Sequence, residues 1–272
     1  MSNRILHLQV LDRSLDPAQA EVWVVVEAEC ASPTTELRGR LAGPRCLYAA
    51  TVEVSYPLRP LLRRPEGLTG LAARVVIPEA SLWEPECPFL YEGTVELWED
   101  GMRCDQAPLH HGLRRLLLKP PGLRVNGNAL KLHGRALTEC DASQASALRR
   151  AGYNLLLAPA KSMLYDLADV QGFFVLERLQ DPDETTLVKA AQHPSCLGWL
   201  LAGPWERWAI NAIPQGRLKG IELDAIPTTS APDWVDFIAC PAGAAADLRG
   251  LGLPLLLLGG ASDAPGVFAE VL

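Results

Sequence analysis

The sequence is most informative first through what it lacks. Its first residues, Met1-Ser-Asn-Arg-Ile-Leu-His, do not follow the basic-then-apolar pattern of a secretory leader. No apolar run approaches the ~20 residues needed to span a bilayer; Leu253 to Leu258 is far too short, so no membrane partner is expected. There is no excess of basic residues. The formal charge is −7 and the pI about 5.3, which excludes a general nucleic-acid binder, since such a protein needs a basic face to replace counterions. Cysteine pairs at C-x-x-C spacing are also missing. The seven cysteines (30, 46, 87, 104, 140, 196 and 240) are scattered and odd in number. They read as reduced packing thiols in a cytoplasm, not as a disulfide framework or a zinc site. No metal and no cofactor is expected. What is present is core material: 49 % of the 272 residues are hydrophobic, enough for one large domain or two ordinary ones.

From Arg4 to about Lys131 the pattern is short β-type runs with turn punctuation. Ile5 to Val10 alternates, Glu21 to Ala28 is rich in Val and Trp, and Cys46 to Val54 and Leu71 to Ile77 follow. Gly93 to Trp98 alternates into Glu99-Asp100-Gly101, a hairpin signal, with Met102 to Cys104 opening the return strand; Asn126-Gly127 is a second tight turn. Such spacing predicts an antiparallel sandwich of about 100 residues. His110-His111 offers no metal pair, because neighbours on a strand point to opposite faces.

Beyond Leu130 the periodicity changes. Helices are predicted over Asp141 to Ala151, Met163 to Val170, Asp183 to Gln192 and Ala244 to Leu251. Buried strands are predicted at Asn154 to Ala158, Phe173 to Glu177, Cys196 to Ala202, Val235 to Cys240 and Pro254 to Leu258, with a poorly defined strand near Ile221 to Ala225. Alternating strands and helices imply a parallel sheet.

Several motifs carry a resemblance. Leu82-Trp83-Glu84-Pro85-Glu86-Cys87-Pro88-Phe89-Leu90-Tyr91 resembles the L-W-x-P-E-x-P-x-L-Y signature of family 2 glycoside hydrolases. His111-Gly112-Leu113-Arg114 resembles F-G-F-R, and Val125 to Gly134 resembles L-N-G-K-P-I-x-L-R-G. Further on, Ala151-Gly-Tyr-Asn-Leu resembles A-G-F-N-A, Tyr165-Asp-Leu-Ala-Asp169 resembles Y-D-L-C-D, Gly172 to Glu177 resembles G-L-Y-V-I-D, and His193 to Trp199 resembles H-P-S-I-I-M-W. The resemblance implies an immunoglobulin-like β-sandwich, residues 1–122, followed by a TIM-type β/α barrel, residues 123–272. It makes Trp83 and Tyr91 packing residues. The chain ends fourteen residues after Leu258. That leaves room for one helix, Ala264 to Leu272, but not for a helix and an eighth strand, so an incomplete barrel with an open edge is expected.

Enzymes of this family use two carboxylates roughly 5 Å apart at strand ends, one as acid/base and one as nucleophile. Aligned on Trp199, the acid of W-S-L-G-N-E falls on Pro204; aligned on Pro254, the nucleophile of K-P-I-I-I-S-E-Y-G falls on Gly259. The family's Arg after N-A-V is Leu157, its Asn in R-G-x-N is Ala136, and its S-H pair is absent from Ala158 to Lys161. Five polar positions of one site are thus apolar or small. The expectation is a family 2-like protein without catalysis that binds a carbohydrate or a protein partner. Two alternatives remain open. One is an active retaining glycosidase with relocated carboxylates, Glu177 and Glu206. The other is a structural subunit completed by another chain, as a homo- or hetero-oligomer through the open barrel edge. The binding candidates are Glu177, Glu206, Trp205 and Trp208; the W-E-R-W cluster could stack on sugar rings, anchor a partner, or simply pack.

Overall fold

The computed structural model describes residues 3–61, 69–159, 163–179, 183–201, 211, 213–214, 216–225, 232–262 and 264–272. The chain forms two compact units: Met1–Trp83 with Cys87–Leu113, and Glu84–Glu86 with Arg114–Leu272.

The first unit is a sandwich of two four-stranded antiparallel sheets. One holds β1 (Ile5–Leu15), β2 (Gln19–Ala28), β6 (Leu71–Pro78) and β5 (Arg59–Pro60), in that spatial order. The other runs β4 (Val54–Pro57), β3 (Glu36–Arg45), β7 (Leu90–Glu99) and β8 (Met102–His111). Alternation explains the core. Val22, Val24 and Val26 of β2 and Val75 and Ile77 of β6 pack with Leu41, Val95 and Leu97 of the other sheet, all essentially without solvent contact. Each such side chain contributes about 1.5–3 kcal/mol. Asp100 and Gly101 take the positive φ values, 50° and 76°, that a two-residue hairpin requires. Trp83 and Tyr91 are wholly buried; the Tyr91 hydroxyl accepts the Ser81 N–H at 2.9 Å, and burial pushes its pKa up to about 12. They pack, as the resemblance implies. One expected strand is corrected: residues 46–53 are irregular, and the strand lies before them, as β3. Leu47, Tyr48 and Val52 are exposed there.

The second unit opens with a small sheet of β9 (Leu116–Lys119), β10 (Gly122–Val125) and β11 (Asn128–Leu130). Asn126 and Gly127 make its tight turn, again with positive φ. Then come β12 (Leu132–Ala136), α1 (Ala142–Arg150), β13 (Leu155–Ala158), α2 (Tyr165–Gln171), β14 (Phe174–Leu179), α3 (Glu184–Ala191) and β15 (Cys196–Leu201). β16 (Leu218–Glu222), β17 (Phe237–Pro241), a short helix Ala245–Leu248, β18 (Leu255–Leu258) and β19 (Val267–Val271) complete it. All eight strands from β12 to β19 are parallel and form a closed barrel. β13 and β15 are buried at every position, as expected of parallel strands covered on both faces. Their interior is filled: the Phe237 ring occupies the space beside Gly220. At Gly198, φ 153°, a Cβ would lie 1.9 Å from the Leu218 carbonyl oxygen, so only glycine lets β15 and β16 pair there.

The expected open edge is therefore corrected. Val267–Val271 is a strand, not a helix, and it pairs with both β18 and β12. Room for it exists because residues 259–266 link β18 to β19 with no helix among the described residues. Among the described residues it is this link that is shortened, not the strand ring. Leaving β12 and β18 unpaired would strand their backbone donors and acceptors, and β19 satisfies both. No helix among the described residues is long and apolar enough to cross a membrane.

A buried ion pair locks the seam. Glu270, 5 % exposed, accepts from Lys131 Nζ at 2.7 Å and from the Ser262 N–H at 2.8 Å, with His133 Nδ1 at 3.7 Å. Burial opposes the charged carboxylate, but the Lys131 and Ser262 hydrogen bonds and the nearby positive charge outweigh it and hold the pKa below the ordinary value. A depressed carboxylate contributes stability that is complete above the unfolded pKa of about 4.3 and is lost as pH falls through the folded value. Glu270→Ala is expected to lower unfolding free energy by about 2 kcal/mol at neutral pH. In urea titrations the gap between variant and parent should shrink below pH 4; a gap unchanged from pH 7 to pH 3 would contradict the charged seam.

Candidate functional site

In a β/α barrel the carboxyl ends of the strands form the functional mouth. Which side chains face it follows from register. Leu156 and Ala158 of β13 pack into the outer cluster with α1, α2 and α3, so Leu155 and Leu157 face the barrel axis. Laterally paired residues share a face. Ala136, Leu157, Leu176 and Gly198 therefore form one inward row, and Arg178, Leu200 and Gly220 the next. Glu222 and Ala239 follow. The two inward charged groups of these rows, Arg178 and Glu222, lie at strand ends and meet across β15: guanidinium to carboxylate is 3.3 Å. Both are part-exposed, at 42 % and 34 %, so the pair borders open solvent. At the same end of the barrel, the loops after β12 and β13 line a cavity of about 620 Å³, with Thr138, Glu139, Asp141, Gln144 and Leu164 among its walls.

Glu177 is elsewhere. It shares the face of Val175 and Leu179, in the layer between strands and helices, and is 3 % exposed. Its carboxylate accepts the Tyr165 hydroxyl at 2.6 Å. Burial, then the neighbouring Cys196 and Glu177, push the Tyr165 pKa far up, so the phenol stays protonated and donates. By its position near a strand end, Glu177 is a catalytic and binding candidate in the sequence. The correction is one of parity: its neighbour Arg178, not Glu177, faces the mouth. Arg178 does not pair with Glu177 but with Glu222. Of the other candidates, Glu206, Trp205 and Trp208, and the aligned acid position Pro204, lie outside the described residues. Asp224 lies two residues past the end of β16 and is exposed. Arg178 and Glu222 were missed. β14 is buried on both faces, so its sequence carries no alternation to show which side Arg178 takes, and β16 is flanked by no helix-like pattern that would mark it.

A second polar group sits at the opposite, amino end of β15. Asp169 of α2 is fully buried. Its Oδ2 meets His193 Nδ1 at 2.7 Å, and its Oδ1 accepts the Ser195 N–H at 2.9 Å. The Tyr165 ring stacks on His193, centroids 5.2 Å apart. Asp, His and Ser together invite a nucleophilic reading, and Asp166, Asp169 and His193 also gather within 4.8 Å in a metal-like grouping. The contacts decide the first question. The Ser195 hydroxyl is fully buried and donates to the Tyr165 carbonyl at 3.4 Å. Both Asp169 oxygens are spent on holding the His193–Ser195 turn to α2. The group is a staple between helix and strand.

Comparison with solved structures gives similar folds. A β-glycosidase from Bacteroides vulgatus matches with TM-score 0.69 and 16 % identity over 95 % of this chain and 39 % of its own length. A glycosyl hydrolase family 2 member from Bacteroides cellulosilyticus DSM 14838 gives 0.71 and 14 % over 99 % and 46 %. A Bifidobacterium dentium β-glucuronidase complexed with coumarin-3-O-glucuronide gives 0.68 and 15 % over 98 % and 56 %. The fold is that of family 2 glycoside hydrolases. No protein-family model matches the chain, and no curated protein matches it in sequence. The chain spans roughly two fifths to just over half the length of these structures.

Within the family 2 fold the motifs find their places. Y-D-L-x-D and H-P-S are the two halves of the Asp169 staple. At the mouth the aligned positions carry no such groups. Gly259 follows β18 with φ 73°, donates its N–H to the Val271 carbonyl at 2.8 Å, and has open space where a Cβ would stand. Leu157 is buried on the axis and Ala136 is exposed at the end of β12. The staple reading predicts that Asp169→Ala costs about 3 kcal/mol in denaturant unfolding, by orphaning the Ser195 N–H and the His193 ring. Ser195→Ala should cost about 1 kcal/mol or less. Esterase activity abolished by Ser195→Ala would overturn the staple.

Proposed function

We propose that this protein is a non-hydrolytic relative of family 2 glycoside hydrolases that holds a carbohydrate at the carboxyl mouth of its barrel. The observation that carries the reading is the pairing of Arg178 with Glu222 at a mouth whose other aligned positions are Gly259, Leu157 and Ala136. Retaining hydrolysis needs two carboxyl groups about 5 Å apart on opposite sides of the glycosidic bond. Along the inward rows described above, Glu222 is the one acid, and a guanidinium is bound to it. Such a pair suits binding. It presents N–H donors and carboxylate acceptors side by side, as vicinal sugar hydroxyls require, and it is partly wet, so a ligand replaces water without a large desolvation cost. The structural neighbours support a sugar as the ligand, since one of them carries a glucuronide in its name. The cysteines are all free thiols, which suits a reducing compartment such as the cytoplasm.

The active-glycosidase alternative loses support with Glu177 turned to the helix layer. The subunit completed by another chain loses its argument with the barrel closed by its own strand. A panel of p-nitrophenyl glycosides, uronides included, should release no product above buffer. Calorimetric titration with the glycan chosen from an array should give binding that Arg178→Ala or Glu222→Ala weakens about tenfold or more. Turnover that Glu206→Gln or Glu222→Gln abolishes would overturn the non-hydrolytic reading. Glycan binding indifferent to both mouth variants would overturn its location.

A further inference from the structure

At the amino end of the barrel, away from the mouth, the second unit holds a cavity of about 360 Å³. Its walls are Pro120 and Pro121 of the turn between β9 and β10, Leu253 and Pro254 entering β18, and Pro265 before β19. Arg249 is the one charged residue on the lining. It is exposed, and among the described residues its guanidinium makes no ion pair. The volume falls in the range of small-ligand sites, and an apolar pocket with one placed polar group is the usual build of such sites. The proline walls have fixed φ and so lose little conformational freedom on binding, and Gly252 and Gly266 complete the lining.

From this we infer that the cavity binds a small amphipathic carboxylate, its hydrocarbon part among the prolines and leucines and its carboxylate on Arg249. Charge complementarity selects the ligand's head group. A planar guanidinium presents a two-pronged donor set that a carboxylate matches and a neutral amide or alcohol does not. The apolar walls select its body, since a fully polar anion would leave them wet. The site is independent of the mouth, so it stands whether or not the mouth binds sugar.

The probe is 4-butylbenzoate, with 4-butylbenzamide as its neutral counterpart, titrated into the full chain by calorimetry. Saturable, one-to-one binding of the carboxylate is expected. Arg249→Gln, at an exposed position that carries no core packing, should weaken carboxylate binding about tenfold or more and leave the weaker amide binding unchanged. Leu253→Trp, which fills the cavity, should abolish both. Should that variant misfold, as circular dichroism would reveal, Arg249→Gln alone decides. Equal affinity for acid and amide, an Arg249→Gln variant that binds as the parent does, or no saturable binding at millimolar probe would each overturn the assignment.

Discussion

The second unit depends on the contact between its last strand and its first. β19 joins β12 through parallel backbone pairing, with the Leu272 N–H on the Gly134 carbonyl at 3.0 Å, and joins β18 on its other side. Without it, two strands of a seven-stranded sheet would expose unpaired backbone, and the interior row would lose Val271, which packs against Gly134. The closure also carries an electrostatic cost. Glu270 points outward from β19 and is buried there, and a buried carboxylate is costly unless it is paired. Lys131, just ahead of β12, supplies the pair. The strand that closes the ring and the charge that secures it thus come from opposite ends of the unit. The ring cannot close until those ends meet.

Closure then determines what the mouth contains. On a strand, one residue of offset moves a side chain from the axis to the helix layer. Glu177 and Arg178 are adjacent, and they live in different environments for that reason alone. Glu177 is dry, bound to a phenol held protonated by burial; Arg178 is wet and paired with Glu222. The Glu177 environment is built to hold one arrangement, while the Arg178 pair can exchange partners with solvent or ligand. The electrostatic difference between the two sites is set by backbone parity, not by residue type.

The same parity explains how much could be read from the residues. Turns were legible because their chemistry is local: Asp100-Gly101 and Asn126-Gly127 need positive φ, and these residue types adopt it. The helix starts at Asp141 and Asp183 were legible, and the structure makes each of these residues a cap that accepts a backbone N–H three residues on. Sandwich strands such as β7 showed alternation, at Gly93 to Trp98. β3 did not, because Gly39, Gly43 and Pro44 interrupt it, and Leu47 to Val52 mimicked a strand with apolar residues that remain in solvent. β19 is hidden in the sequence because the fourteen residues after Leu258 are too few for the usual helix-and-strand unit, and this link dispenses with the helix. At the mouth, the aligned positions Leu157, Ala136 and Gly259 were legible as residues without a carboxylate. The direction of Glu177 was not, because a strand buried on both faces carries no periodicity to reveal it.

The two ends of the barrel also differ in what their polar groups cost to remove. Asp169 and Ser195 are buried and His193 half-buried in one network, and deleting one member leaves the others unsatisfied at about 1–3 kcal/mol apiece. A domain stable by about 5–15 kcal/mol tolerates few such losses. Acids standing in a solvated mouth impose no such penalty, since water takes over their hydrogen bonds. On the non-hydrolytic reading proposed above, a rim position such as Gly259 can go without a carboxylate at no cost to the fold, while the staple at the other end cannot be removed so cheaply. The pattern of motifs in this sequence, intact at Tyr165 to Asp169 and His193 to Ser195 and absent at Leu157 and Gly259, is the one this asymmetry of costs produces.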